Sequence, residues 1–422
     1  MARTQGLSMV FGLIVFVLIL GFIEFYAFKS LLAISGGWSI GAKLALKLTY
    51  WGITVSLVVL AFLAFRNFAV WRVESPHILS LILGAIAVVF FPKLIMAVFH
   101  LTDDIRYAVA WVVKNWSSTS TASGGEAISR ATFITKTGQV LGGLAFFGFL
   151  YGVTRGRYNY HVINQTIVSE DLPAAFDGMR IVQFSDAHVG SFYNDFEPVK
   201  EGIRLINELN ADYIFFTGDL VNNLAEEAEP WIPIFQGLKA KKGKFSIFGN
   251  HDYADYGMMP EEKRLASRKR LVEIHDEMGF KLMMNEGVEL ERGGQKIGLL
   301  GVENWGKGFR QSGDLKKAKA GVNGTDFNIL LTHDPTHWEE EVLAKEKIQL
   351  TLSGHTHGMQ MGVEIPALNI KFSPARLRYK RWGGLYQEGK QFLHVNRGFG
   401  FIGFPGRVGM PPEITLIELK KA

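Results

Sequence analysis

The sequence of 422 residues contains no cysteine. A disulfide framework, a cysteine-bound zinc site and a thiol nucleophile are therefore all excluded. The sequence also lacks a long run of lysine and arginine, and its net charge of +5 is modest for this length. The concentrated positive charge typical of nucleic-acid-binding proteins is missing, so we expect no nucleic-acid partner. The mean hydropathy is positive, which favours a protein that contacts a membrane.

Long apolar runs are present near the amino terminus, and four of them approach the length of a membrane-spanning helix. We expect spans near residues 9–28, 48–66, 78–99 and 138–154. A cleaved signal peptide is the alternative for the first run, but that run is too long and no small-x-small cleavage site stands out. The sequence thus predicts a transmembrane helical domain over residues 1–157 and a catalytic domain over residues 158–422.

Charge around the apolar runs bears on the orientation of the chain. Four spans would place both termini on the same side of the membrane. Arg66, Arg72, Arg155 and Arg157 favour a cytoplasmic carboxy-terminal domain in an inner or plasma membrane, although the opposite segments also carry lysine and arginine. The positive-inside rule therefore supports this orientation only slightly.

Two polar features interrupt the membrane half. Glu24 falls inside the first run, where a carboxyl group either has a function or lies close to the membrane interface. The segment 115–125 is rich in serine, threonine and glycine, and we interpret it as a flexible connector.

After residue 157 the pattern changes to alternating strands and helices, which predicts an α/β domain. Helix-like stretches cover Glu197–Leu209, Ala225–Leu238, Pro260–Met278 and Pro335–Lys345. Five short apolar runs each end in aspartate, asparagine or histidine. The residues at these ends are Asp186 and His188, then Asp219, then Asn250, His251 and Asp252, then His333, and finally His355 and His357. Because ligands bind at the carboxyl ends of strands in such domains, we expect these side chains to converge.

The chemistry of these side chains is that of metal ligands. Imidazole and carboxylate without sulfur suit manganese, iron, zinc or magnesium. The set is too large for one ion, whereas two divalent ions that share a carboxylate would use it fully. Such a pair orients a hydroxide and stabilises charge on a phosphoryl group.

The motifs resemble the five signature blocks of the calcineurin-like metallophosphoesterases, over about residues 179–422. Their details are most similar to a membrane-associated bacterial branch that includes lipid A pathway hydrolases and YkuE-like phosphodiesterases. The resemblance implies a β-sandwich flanked by helices. It also implies one ion held by Asp186, His188, Asp219 and His357, and a second held by Asp219, Asn250, His333 and His355.

The same resemblance assigns catalytic roles to two further residues. His251 would lie beside the leaving group as a general acid or a hydrogen-bond donor. Asp252 would orient His251. The run after Asp219 lacks the acidic residue found three positions later in many relatives, and the arginine that follows it in the protein phosphatases. Support for a Ser/Thr protein phosphatase is weakened accordingly.

The carboxy-terminal stretch carries two further candidate features. Residues 396–403 contain a GxGxxG, but no helix opens after it, so we interpret it as an ordered loop rather than a dinucleotide site. Arg397 or Arg407 on this loop could contact a substrate phosphate, or could simply take part in loop packing. The segment Arg376–Trp382 is basic and aromatic. It could meet anionic headgroups or an anionic substrate, or form a solvated loop.

The predicted function is that of a membrane-anchored hydrolase that binds two divalent metal ions. Manganese is the metal we expect before iron, zinc or magnesium. We expect the protein to cleave a phosphodiester or pyrophosphate bond, in a lipid or cell-envelope precursor, by attack of a metal-bound hydroxide. Three alternatives remain open. They are an inactive membrane sensor or scaffold with the same fold, a phosphodiesterase acting on soluble nucleotides, and a small transporter built from the four spans.

Overall fold

The computed structural model of the protein describes residues 2–68, 70–71, 75–116, 126–256 and 259–422. Most of the predicted connector at 115–125 lies outside the described residues. The chain divides into two compact units. One comprises Met1–Trp71 and Leu81–Tyr151, and the other comprises Arg72–Ser80 and Gly152–Ala422.

Four long helices dominate the first part of the chain, and each is long and apolar enough to cross a membrane. They are α1 (Ala2–Ile34), α2 (Ile40–Arg66), α3 (Pro76–Trp116) and α4 (Glu126–Thr154). The four predicted spans are thus confirmed as helices. The candidate span in α3, Pro76–Val113, has 38 residues, well beyond the roughly 20 residues that a bilayer core requires.

Glu24 is buried within the first unit, where it joins three helices through polar contacts. Its carboxylate lies 2.9 Å from Lys93 Nζ on α3. It also accepts hydrogen bonds from Tyr50 and Thr54 on α2. In an apolar environment a carboxylate is tolerated when it is paired in this way. Glu24 can be buried because Lys93 is its partner. The position of Glu24 in the sequence does not by itself reveal that partner.

Removal of one member of the Glu24–Lys93 pair is expected to destabilise the membrane unit. Lys93→Met should lower the free energy of unfolding in detergent by about 3–5 kcal/mol, because it leaves a buried carboxylate without a partner. The double variant Glu24→Leu/Lys93→Met should recover most of that loss. Lys29→Met disrupts the more exposed pair with Asp104 and should cost much less. Equal losses in the single and double variants would contradict the argument.

The second unit contains two six-stranded β-sheets. The first has the order β1-β14-β2-β3-β4-β5 and the second has the order β12-β13-β9-β8-β7-β6. The first sheet is built from β1 (His161–Ser169), β2 (Arg180–Phe184), β3 (Tyr213–Phe216), β4 (Gly243–Ser246), β5 (Lys281–Leu282) and β14 (Glu413–Lys421). The second is built from β6 (Glu286–Arg292), β7 (Gln295–Gly301), β8 (Asn328–Leu331), β9 (Leu350–Ser353), β12 (Gly384–Glu388) and β13 (Gln391–Val395).

Side-chain alternation along the strands builds three apolar layers. Ile181 on β2 and Leu350 on β9 belong to a buried cluster shared by the two sheets. Val182, one residue further along β2, belongs instead to the cluster formed with helices α5, α6 and α7, as the two-residue period of a strand requires. A third cluster packs the second sheet against α8. The helices are α5 (Phe196–Glu208), α6 (Ile232–Gln236), α7 (Glu261–Glu277) and α8 (Leu315–Lys319).

The expected β-sandwich flanked by helices is thereby confirmed, and its topology positions the motif residues. Strands β2, β3 and β4 are parallel, as are β7, β8 and β9. Within each sheet the carboxyl ends of these strands therefore meet at one edge. All of the predicted ligands follow the carboxyl ends of β2, β3, β4, β8 and β9.

A separate two-stranded hairpin follows β9. Its strands are β10 (Val363–Ile365) and β11 (Ile370–Phe372), which pair antiparallel and join neither six-stranded sheet.

Candidate metal centre

Two groups of ligand atoms lie together at the strand ends. One group is Asp186, His188 and His357, and the other is Asp219, His333 and His355; within each group the atoms lie within 4.8 Å of one another. The two groups are adjacent, because Asp219 Oδ2 lies 3.1 Å from His333 Nε2 and 3.6 Å from His188 Nε2. Asp219 therefore faces both groups, as a shared carboxylate must.

Backbone carbonyls fix which nitrogen of two histidines faces the centre. His188 Nδ1 lies 3.1 Å from the carbonyl of Val221, and His333 Nδ1 lies 2.7 Å from the carbonyl of Thr217. An imidazole that donates from Nδ1 keeps the lone pair on Nε2 available. Both Nε2 atoms point towards Asp219, so the fold prepares them as ligands.

His355 presents its other ring nitrogen, Nδ1, to the ligand group. Its Nε2 lies 2.9 Å from the hydroxyl of Tyr379 and 3.4 Å from Asp334 Oδ2. Its Nδ1 lies 3.2 Å from His333 Nε2 and so faces the second group. Neither Asp334 nor Tyr379 was predicted to contact a ligand. Asp334 is adjacent to His333, and Tyr379 lies in the basic and aromatic segment Arg376–Trp382.

Asn250 offers an unpaired oxygen at the same place. Its Oδ1 atom is buried and accepts no hydrogen bond from the described residues. Its Nδ2 donates to the Tyr256 hydroxyl over 2.7 Å, which orients the amide with the oxygen free. A buried oxygen left without a donor is costly, and a cation would satisfy it. Tyr256 is a second contributor that sequence reasoning missed.

Backbone strain concentrates at these positions. Five predicted ligands have a positive φ although none is glycine: Asp186 (53°), His188 (45°), Asp219 (60°), His355 (73°) and His357 (51°). The left-handed region is unfavourable for such residues, and its use clusters at functional sites. The motif glycines permit close approach, because a Cβ on Gly249 would lie 2.2 Å from Asp219 Oδ1.

The electrostatic environment is that of a cation site. Burial lowers the pKa of His188 well below its ordinary value. Burial alone would also lower the pKa of His333, but the Asp219 carboxylate outweighs it and raises that pKa to about 10. Among these convergent atoms the carboxylate therefore favours a bound positive charge. Divalent ions fit the same atoms, which combine imidazole, carboxylate and amide oxygen.

His251 lies beside the first group of ligands. Its ring centroid is 5.0 Å from that of His188 and 4.4 Å from that of Tyr256. Its Nδ1 lies 2.7 Å from the carbonyl of Asn222, and its backbone N–H donates to Asp219 Oδ1. Burial lowers the pKa of its imidazole.

Asp252 was predicted to orient His251, and the contacts of its side chain lie on the neighbouring loop. Its two carboxylate oxygens accept hydrogen bonds from the backbone N–H groups of Asp219, Leu220, Val221 and Gly249. The carbonyl of Asn222, rather than Asp252, contacts His251 Nδ1. The side chain of Asp252 turns back onto the loop after β3, where four N–H groups need an acceptor. Asp252 thus holds the loop that carries Asp219.

We expect Asp252→Asn to weaken both the fold and metal binding. The amide would turn its NH2 group towards N–H groups that now meet a carboxylate, which should cost about 1–3 kcal/mol. Metal affinity should fall by about 10–100-fold through the displaced loop. Thermal unfolding and metal content by mass spectrometry measure the two effects. Asp255→Asn, which affects only the partly exposed pairs with Arg264 and Arg310, should change both quantities far less.

Arg397 and Arg407, the two residues predicted to contact a substrate phosphate, have protein partners in the structure. Arg397 is paired with Glu413 and Glu364. Arg407 is fully buried, donates to the carbonyls of Arg397, Gly398 and Gly400, and lies 3.2 Å from His357 Nδ1. Both terminal NH2 groups of Arg397 and all three nitrogens of Arg407 are engaged inside the protein, where these contacts hold the loop and His357.

A different arginine, Arg378, lies next to two residues that contact His355. The guanidinium carbon of Arg378 is 4.7 Å from the ring centroid of Phe309 and 5.5 Å from that of Tyr379. Phe309 in turn contacts the ring of His355, with 4.6 Å between centroids. Arg378 is exposed, and among the described residues it makes no ion pair. It belongs to the basic segment identified in the sequence.

Comparison with known proteins agrees with this geometry. Residues 8–157 match the family model described as "Probable Calcineurin-like phosphoesterase, transmembrane domain". Residues 179–359 match the model described as "Calcineurin-like phosphoesterase". The chain is 32% identical over 300 residues to the uncharacterized metallophosphoesterase YkuE of Bacillus subtilis, which covers 69% of this chain and 98% of that protein.

Two further relatives carry informative names. A Danio rerio transmembrane protein with metallophosphoesterase domain is 29% identical, over 65% of this chain and 60% of that protein. The UDP-2,3-diacylglucosamine pyrophosphatase LpxG of Chlamydia muridarum is 28% identical, over 58% of this chain and 84% of its own length. With the paired ligand groups and the four apolar helices, these matches show that the chain is an integral membrane protein of the calcineurin-like metallophosphoesterase family, hydrolases that act on phosphoester bonds.

Proposed function

We propose that the protein is a phosphohydrolase that uses two divalent metal ions to cleave a phosphodiester or pyrophosphate bond. Its substrate would be a lipid or a cell-envelope precursor. The observation that carries the proposal is the position of Asp219 between two groups of convergent ligand atoms. A single shared carboxylate is what a two-ion centre needs to hold its ions at the short separation used in phosphoryl chemistry.

Each ion would have four protein ligands. Asp186, His188, Asp219 and His357 would hold one, and Asp219, Asn250, His333 and His355 would hold the other. Bound divalent ions would activate a water molecule and neutralise charge on the phosphoryl oxygens. Manganese is the ion we expect, with iron, zinc or magnesium as substitutes, since imidazole and oxygen ligands without sulfur suit all four.

His251 would act on the leaving group. It lies next to His188, and the carbonyl of Asn222 fixes its ring through Nδ1. Its Nε2 atom is the one left to meet a substrate oxygen. A positioned imidazole can donate a proton or a hydrogen bond to the departing oxygen.

The membrane half supports a lipid or envelope substrate. Four apolar helices in the same chain keep the catalytic unit near a bilayer, where such substrates reside. The name of LpxG states that it is a pyrophosphatase of a diacylated sugar nucleotide. A related hydrolase is thus named for the pyrophosphate of a diacylated sugar nucleotide, which makes this the first substrate class to test.

We also propose the domain division and orientation stated from the sequence, namely residues 1–157 as membrane anchor and 158–422 as catalytic domain on the cytoplasmic side. Support comes from Arg66, Arg72, Arg155 and Arg157. The natural absence of cysteine permits a direct test. A single cysteine at Lys269, an exposed residue of α7, should react with an impermeant thiol reagent only after the inner membrane is opened. Labelling in intact spheroplasts would show that the catalytic domain lies on the opposite side of the membrane.

The decisive experiment uses detergent-purified, manganese-loaded protein. Wild type and Asp219→Asn are incubated with membrane lipid extract and with a panel of soluble phosphodiesters, and products are identified by mass spectrometry. Consumption of lipid species by wild type alone supports the proposal. Cleavage of soluble esters alone would indicate that the substrate is a nucleotide or another soluble precursor. Inactivity of metal-loaded wild type on every ester would refute hydrolysis and favour a sensor or scaffold.

Arg378 is expected to help bind the anionic substrate. Arg378→Gln should raise the KM for a soluble phosphodiester about tenfold, the effect of losing one charge-assisted hydrogen bond at an exposed site. The kcat should change little, because the metal ligands stay in place. Arg376→Gln is the matched control, since Arg376 lies near Phe372 rather than the His355 cluster. An unchanged KM in Arg378→Gln would show that this residue does not contribute to substrate binding.

A further inference from the structure

The hairpin of β10 and β11, with the residues that flank it, forms an exposed apolar surface. We call residues 359–377 the hairpin surface. Its large apolar side chains are mostly open to solvent, with 65% of Leu368 and 86% of Leu377 exposed. The others of this kind are Met359, Val363, Ile365, Ile370 and Phe372. A soluble domain seldom leaves such a set together without a binding role.

The construction of the hairpin explains why these side chains are not buried. Val363 pairs with Phe372 and Ile365 pairs with Ile370, and no third strand continues the pairing in the described structure. A two-stranded ribbon has no sheet or helix against which to bury its faces. Polar residues would make such a ribbon more soluble, yet apolar residues occupy it.

Positive charge accompanies the apolar side chains. Lys371, Arg376, Arg378 and Lys380 fall within or next to the hairpin surface. The single acidic residue between positions 359 and 380 is Glu364, and Arg397 pairs with it. Apolar side chains bordered by basic ones match the interface of an anionic bilayer, where hydrocarbon lies beneath phosphate.

The base of the hairpin is fixed to the metal centre. In sequence the hairpin lies between His357 and Tyr379, which contacts His355. Ser373 Oγ donates to the carbonyl of Gly358, next to His357. Glu364 is held through Arg397. Any surface that the hairpin contacts is therefore held in a defined relation to the catalytic residues.

We propose that the hairpin surface inserts into the interfacial region of an anionic phospholipid bilayer. Leu368, at the turn between the two strands, enters the hydrocarbon boundary, and Arg376 and Lys380 meet lipid phosphates. A bilayer is the occupant favoured by charge complementarity and by the four membrane-spanning helices of the same chain. The insertion does not depend on the proposed hydrolase activity. It would bring the metal centre to lipid headgroups rather than to bulk water.

The test uses the full chain in lipid nanodiscs and exploits the absence of native cysteine. Leu368→Cys and Leu377→Cys are each labelled with an environment-sensitive fluorophore, and Lys269→Cys on α7 serves as the exposed control. Doxyl-labelled phospholipids then quench only probes that touch lipid. We expect several-fold stronger quenching at positions 368 and 377 than at 269. Phosphatidylglycerol should increase the quenching, and Arg376→Gln/Lys380→Gln should reduce that increase.

Two outcomes would overturn the proposal. Equal quenching at positions 368 and 269 would show that the hairpin surface remains in water. A blue-shifted fluorophore at 368 without quenching by doxyl lipid would show that protein, such as a second copy of the chain, covers it. Metal content of each labelled variant, compared with wild type, confirms that the catalytic unit is folded in either case.

Discussion

Asp219→Asn is expected to abolish hydrolysis and to remove metal from the protein. Asp219 faces both ligand groups, at 3.1 Å from His333 Nε2 and 3.6 Å from His188 Nε2. An amide carries no charge to balance two divalent ions. It also offers only a single neutral oxygen for coordination. We expect more than about a 100-fold loss of kcat/KM, beyond the 10–100-fold typical of residues that only support a ligand.

Metal content measured independently of activity makes this prediction specific. Wild-type protein should retain two divalent ions per chain by mass spectrometry after gel filtration, and Asp219→Asn should retain one or none. Asp276→Asn, an exposed residue of α7, is the matched substitution and should leave metal content and turnover unchanged. Two retained ions together with wild-type turnover in Asp219→Asn would disprove the shared-carboxylate centre.

The strand-end motifs made the fold and the ligand groups predictable. Each motif follows a short apolar run. Such runs can be recognised as strands in the sequence because strands buried on both faces carry apolar residues throughout. Ile181–Phe184 became most of β2, and Tyr213–Phe216 became β3. Once parallel strands were inferred, convergence of Asp186, Asp219 and His357 followed from topology alone.

Other features depend on contacts between distant parts of the chain and left no local trace. Tyr379 and Tyr256 contact His355 and Asn250, although neither tyrosine belongs to a strand-end motif. The burial of Arg407 depends on three backbone carbonyls at residues 397–400, which charge alone does not indicate. An arginine on a loop near a predicted phosphate site therefore resembled a ligand for that phosphate.

Local chemistry explains one error in the helices. The stretch Ala225–Leu238 was expected to form one helix, but it contains two short 3-10 turns followed by α6 (Ile232–Gln236). Pro230 and Pro233 lie within this stretch, and proline lacks the N–H that continues an α-helix. The apolar spacing of this stretch is helical, and periodicity alone does not reveal the interruption that the two prolines impose.

His251→Asn is expected to lower kcat by about 10²–10⁴-fold while leaving the metal centre intact, the range for loss of a positioned proton donor. The imidazole ring contacts His188 and Tyr256 but belongs to neither ligand group. The contact that His251 makes with Asp219 uses its backbone N–H, which asparagine retains. Metal content and KM should therefore stay close to those of wild type.

The dependence on leaving group separates this role from a structural one. A nitrophenolate departs without a proton, whereas an alkoxide needs one, so the loss in His251→Asn should be much larger for an alkyl ester than for a nitrophenyl ester. His161→Asn, at an exposed histidine that begins β1, should leave both rates unchanged. An equal loss on both esters, or a loss that follows reduced metal content, would mean that His251 supports the centre without acting on the leaving group.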